Sequence, residues 1–159
     1  MDHTQLLDSL RHLYPDAEFL ERAGTVFVMY DPDHRLTPEW RRPFVTVVPD
    51  DAHDHASNLG REGVYRLNVE LSADAYRERF GPHPRAGADG LVHTGHDFTA
   101  LDVVMPHPVY APMSWACVLC PSAATVEALR PLLVEAYTRA VRRHAQEGRP
   151  GGAAGTLPG

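Results

Sequence analysis

The sequence predicts an α+β fold: a single antiparallel β-sheet with N- and C-terminal helices packed on one face. Three observations carry this. Both ends of the chain show apolar residues at helical spacing, the middle shows short runs rich in β-branched residues, and one run, VYRLNVEL, alternates without a break. The order helix, strand hairpin, strand, strand, short helix, long loop, strand, long helix fits antiparallel strands flanked by terminal helices, with the other face of the sheet partly open.

The first helix is predicted over residues 2–14, with Leu6, Leu7, Leu10, Leu13 and Tyr14 on one face. Asp2 and Gln5 have capping-box spacing, and Pro15 stops the helix. The next stretch, EFLERAGTVFVMYDPDH, reads as a hairpin around Ala23-Gly24, ending at the Asp31-Pro32-Asp33 turn. A polar link, RLTPEWRR, leads to a third strand, PFVTVV. PDDAHDHASNLGREG is a loop by composition.

In VYRLNVEL, the side chains of Tyr65, Leu67, Val69 and Leu71 share one face, and Arg66, Asn68 and Glu70 take the other. The expected result is a strand with one covered face and one open face. Ser72 caps a short helix, ADAYRERFG, closed by Gly81. Residues 81–96 read as a surface loop, and HDFTALDVVMP fits either a short strand or one helical turn. SWACVLC is a strand. From Ser122 a long helix runs to about His144, burying Leu129, Leu133, Ala136 and Tyr137, with a kink or break expected at Pro131. Residues 1–146 are expected to form one domain, and the Gly/Pro/Ala-rich tail 147–159 to be flexible.

Composition limits function. The chain of 159 residues carries a formal charge of −6, and all fifteen basic residues are arginines. Without lysine there is no Schiff-base lysine, no lysine-anchored pyridoxal phosphate and no P-loop lysine. The acidic balance argues against nucleic acid as a partner. No apolar run has the length of a membrane span, and the acidic N-terminus lacks signal-peptide character, so the protein is expected to be cytoplasmic. Cys117 and Cys120 form a C-x-x-C spacing, but strand alternation puts them on opposite faces, roughly 10 Å apart at Cα, so they are expected to be unpaired.

The stretch VYRLNVELSADAYRERFG, followed by MPHPVY, SWACVLCPS and ATVEALRPLLVEAYTRAV, resembles the MmcQ/YjbR-like group. More closely it resembles an actinobacterial domain-of-unknown-function family with a YPD near its start, a YDPD turn, and TALD before MPHPVY. The resemblance covers roughly residues 5–145 and implies a YjbR-like sheet with its helices on one face. It also implies a DNA-binding module, which the acidity opposes. It supplies no catalytic residues.

Among the ten histidines, His53/His55 and His93/His96 have no established metal-ligand spacing, so no metal and no cofactor are expected. His107 differs, because prolines on both sides fix its backbone and Trp115 follows. If the loop bearing His93 to Asp102 folds over the polar strand face, a pocket results. Arg66 would bind an anionic small molecule, Asn68 would orient it, Tyr110 and Trp115 would form an apolar wall, and His107 would act as acid or base. An Arg66→Ala change is then expected to cost about 1.5 to 3 kcal/mol of ligand affinity with little loss of fold. Absent such a pocket, the stripe is the wet side of a sheet. The leading function is a small-molecule or protein binding module, with a homodimer allowed. The alternatives are a cofactor-free or metal-assisted enzyme using His107, and a DNA-binding module.

Overall fold

A computed structural model describes residues 1–34 and 42–147. The RLTPEWRR link up to residue 41, and the expected flexible tail from residue 148 on, lie outside the described residues.

Helix α1, His3–Leu13, begins at Asp2, whose side chain accepts from Gln5 N at 2.8 Å while the Gln5 side chain accepts from Asp2 N at 2.9 Å. This is the capping box read from the sequence. Strands β1 (Glu18–Arg22) and β2 (Thr25–Met29) follow as a hairpin. Its two-residue turn holds Ala23 at φ 49° and Gly24 at φ 84°. Left-handed values at both turn positions match the right-handed twist of the flanking strands. Strand β3 (Pro43–Val48) pairs with β2, and β4 (Arg66–Glu70) with β3.

Helix α2 (Ala73–Phe80) is capped by Ser72, whose Oγ accepts from Ala75 N at 3.0 Å, and ends at Gly81 with φ 84°. The undecided segment before His107 resolves into a two-residue strand, β5 (Met105–Pro106). A 3-10 turn, Ala111–Met113, then leads into β6 (Trp115–Leu119). Helix α3 spans Ala123–Glu147. All pairings between these strands are antiparallel, in the order β1-β2-β3-β4-β6-β5, and an isolated parallel bridge joins Leu101 to Leu119 of β6.

The helices cover one face of the sheet. Leu6 and Leu10 of α1 and Leu129 and Leu133 of α3 share a core with Tyr65, Leu67 and Val69, and Leu13 and Tyr137 pack against it. The expected register of β4 is therefore the observed one. Tyr14 ties the two helices together by donating its hydroxyl hydrogen to Leu133 O at 2.7 Å. In β3 the register slips by one residue: Val28 faces Val45, but Met29 faces Pro43. The extra residue, Phe44, joins the helix-side core fully buried, edge-on to Tyr14 at 5.1 Å.

Two expectations change. Of the kink or break expected at Pro131, the break is absent: helix α3 is continuous through it. Pro131 is exposed, so the carbonyl it leaves without an N–H partner faces water, while Leu129 and Leu133 hold the helix down on either side. The second face of the sheet is also not open. Arg66, Asn68 and Glu70 are 1%, 3% and 4% exposed. A second apolar cluster sits beneath them, with Val48, Leu59, Met105, Cys117 and Leu119 buried and Phe98 packed alongside. The covering layer is the 49–64 segment, which composition alone marks as a loop.

Cys117 lies in that second cluster and Cys120 beyond the end of β6, and both thiols are free. Burial pushes the Cys117 thiol up to about 12. Iodoacetamide at pH 8 is expected to leave Cys117 unmodified in the native protein and to label it in urea; peptide mass mapping checks this. Native labelling of Cys117 would mean that the cover over the second face opens freely.

Candidate functional site

The sequence MPHPVY builds an unusual turn. Pro106 ends β5, and His107 N donates to Trp115 O at 3.0 Å, closing the β5–β6 hairpin. Pro108 has no N–H, so the next two amides are the ones available to turn inward. Val109 N and Tyr110 N both donate to His107 Nδ1, each at 3.0 Å. Two donors on Nδ1 require its lone pair, which places the ring proton on Nε2. His107 is 2% exposed, and among the described residues its Nε2–H meets no acceptor.

Strand β4 contributes Arg66 and Asn68 from the face opposite the helices. Arg66 pairs with Asp54 through two bonds, Nη1 to Oδ1 at 3.1 Å and Nη2 to Oδ2 at 2.7 Å. Its Nη1 also reaches Ser57 Oγ at 2.7 Å, and its Nε donates to Asn68 Oδ1 at 3.0 Å. Asn68 Nδ2 completes the chain by donating to Thr46 Oγ1 at 2.9 Å. A network whose members satisfy one another in this way holds its side chains in one arrangement. The covering loop is pinned by it, and again by Arg61, which donates to Ser57 O and Thr99 O.

Between this network and the His107 turn lies a cleft of about 50 Å³. That is room for several waters or one small organic group. Arg66, Asn68, His107, Tyr110 and Trp115 all line it, so the structure brings together the five residues singled out in the sequence. Thr25, Phe27, His53 and Asp54 line it as well. Thr25 Oγ1 and His53 Nε2 are 3.1 Å apart, and Phe27 lies edge-on to the His53 ring. The sequence reading missed Thr25, Phe27 and Asp54, and weighed His53 only as a metal ligand. The loop that closes the face is 49–64, not the one bearing His93 to Asp102; of the latter, Phe98 and Ala100 pack on the neighbouring apolar cluster and do not line the cleft. Trp115 is 4% exposed, and among the described residues its buried indole Nε1–H meets no acceptor.

Glu70, third in the polar stripe, does not line this cleft. It is held at the end of β4 by Arg143 at 2.7 Å, with Arg42 at 3.3 Å and Arg139 at 3.8 Å. His93 and His96 sit in an exposed loop beside Asp89 and Thr94 respectively. Among the described residues, no three His, Cys, Asp or Glu side chains are placed to hold a metal ion. Among them, too, no helix is long and apolar enough to cross a membrane.

The electrostatics follow from burial. For Asp54, burial works to raise the carboxyl pKa, but the hydrogen bonds and charge of Arg66 outweigh it and hold the group below its ordinary value of 3.8. For His107, burial first and the Arg66 charge second push the ring well below its ordinary 6.5, against the opposing pull of Asp54. Arg66 and Asp54 thus cancel as a buried pair beside a neutral imidazole.

These shifts act in separate pH windows. Below pH 6.5 the unfolded chain gains a proton at His107 that the folded chain refuses. Stability should therefore fall between pH 7 and pH 5, by up to about 1.4 kcal/mol per pH unit from this group. Asp54 contributes stability above 3.8 that is lost only as pH falls through its lower folded value. Urea unfolding at pH 7, 6 and 5 should show a shallower dependence for His107→Asn, whose amide oxygen can still accept from the two turn amides. Parallel curves for the two proteins would mean that His107 protonates normally in the fold.

Fold and site together define a small α+β domain in which a loop-covered sheet face encloses a polar cleft. The chain belongs to a family of unknown function, DUF6194, whose family profile matches residues 1–149. No curated protein and no solved structure matches the chain.

Proposed function

We propose that this protein is a small-molecule binding domain and that the cleft beside His107 is its ligand site. One observation carries the reading: a buried imidazole is fixed by two backbone amides so that its Nε2–H is presented without an acceptor. Such an N–H on the wall of a cleft is bonded by water in the free protein and can be taken over by a ligand acceptor. The cleft also has the usual makeup of a small-molecule site, aromatic walls with a few fixed polar groups.

The geometry favours a donor role for His107 over the acid/base role expected from the sequence. Its only basic nitrogen is occupied by two amides, and the ring is neutral across the physiological range. If the protein is an enzyme, His107 polarises a carbonyl as a neutral electrophile and accepts no proton. The cleft is also a poorer anion site than the sequence suggested, because Asp54 already neutralises Arg66. A net charge of −6 keeps nucleic acid the least favoured partner. Kinship with the MmcQ/YjbR-like group rests on the motifs quoted above, and a sheet with both terminal helices on one face supports it.

The test is a titration of 15N-histidine-labelled protein with a set of water-soluble fragments, following the ring nitrogens of His107. A binding site here predicts saturable shifts at His107 Nε2–H for some fragments, with the exposed His93 and His96 unmoved. Shifts confined to the exposed histidines would sink the reading.

A further inference from the structure

We infer that the ligand of this cleft presents a planar N–H/C=O edge, as in a neutral carboxamide or lactam. The inference rests on the cleft being a small-molecule site and specifies what that site takes.

The hydrogen-bonding capacity left over in the walls carries it. Arginine has five N–H donors, and Arg66 uses four of them, one on Asn68, two on Asp54 and one on Ser57. Asp54 Oδ1 accepts from both Arg66 Nη1 and Ala56 N, and so is filled. Among the described residues Asp54 Oδ2 accepts only from Arg66 Nη2, which leaves it one lone pair. Asn68 has its oxygen engaged by Arg66 and its nitrogen by Thr46. Among the described residues, the lining groups with capacity to spare are therefore three donors, His107 Nε2–H, the fifth N–H of Arg66 and the Trp115 indole N–H, and one strong acceptor, Asp54 Oδ2.

A ligand that satisfies His107 and Asp54 together must bring an acceptor and a donor on one small frame. An amide does so, its carbonyl oxygen taking the His107 proton and its N–H meeting Asp54. A carboxylate offers no N–H and sets a second negative charge beside Asp54. An ammonium brings no acceptor for His107 and is repelled by Arg66. The aromatic side chains of Phe27, Tyr110 and Trp115 provide flat apolar surface suited to a planar group. The small volume excludes a large one.

Three small probes test this: acetamide, acetate and ethylamine, each titrated into the labelled protein with His107 Nε2–H as the reporter. The expected result is acetamide at least about ten-fold tighter than acetate, and ethylamine weaker than acetamide. Asp54→Asn removes the negative charge and leaves that of Arg66, so the preference should reverse towards acetate. Where Asp54→Asn does not fold, the wild-type ranking decides alone. A carboxylate that binds as tightly as its amide overturns the ligand class and leaves the binding site standing. Probes that all leave His107 unmoved at millimolar concentrations overturn both.

Discussion

Replacing Arg66 with alanine is expected to destabilise the fold by about 3 to 5 kcal/mol, the range for breaking one partner of a buried ion pair. The sequence alone suggested the opposite, a loss of ligand affinity with the fold intact. The difference lies in what the guanidinium touches. Arg66 is 1% exposed and bonds to Asp54, Ser57 and Asn68. Its removal strands the Asp54 carboxylate, whose side chain is only 7% exposed, and leaves the Ser57 hydroxyl and Asn68 carbonyl short of a donor. Urea unfolding at pH 7 measures the effect. The double change Arg66→Met with Asp54→Leu should cost less than Arg66→Ala alone, because an apolar pair leaves no buried charge behind. A single variant within 1 kcal/mol of wild type would mean that water reaches the pair freely.

A comparable loss, about 3 to 5 kcal/mol, is expected for Phe44→Ala, the usual range for a buried aromatic side chain cut to a methyl group. Phe44 is fully buried where α1, α3 and β3 meet, edge-on to Tyr14 and 6.0 Å from the Tyr137 ring. The bulge turns Phe44 into a space between Tyr14 and Tyr137, which its loss would leave empty. Phe44→Leu should recover more than half of the loss in the same unfolding measurement. A small effect from alanine would place Phe44 in a region that can collapse around the void.

The helix-side half of the molecule was legible because its signals are local or periodic. Asp2 and Gln5 announce a cap three residues apart, Ala23-Gly24 announces a tight hairpin, and the alternation from Tyr65 to Leu71 sorts β4 into two faces. Alternation sorts side chains but says nothing of what covers the second set. Arg66 and Asn68 looked wet because the segment covering them, DDAHDHASNLG, has the composition of a solvated loop. Its Asp54 and Ser57 lie twelve and nine residues from Arg66 in the chain, with no motif to link them. His107, Tyr110 and Trp115 could be grouped because one short, stiff segment carries all three. The protonation geometry of His107 could not, since it depends on where two amide hydrogens point. Pro131 failed as a helix breaker for a related reason: packing on both sides of it outweighs one missing hydrogen bond.

The burial of both sheet faces has a consequence for how substitutions are tolerated. A strand with one dry side accepts changes at every second position. In β4 and β6 all five residues are buried, as are the last five of β3, so no position alternates out to solvent. A saturation scan of the chain should therefore show these three strands as unbroken intolerant blocks, apolar and polar positions alike. Only β1, whose last two residues are exposed, should end in permissive positions.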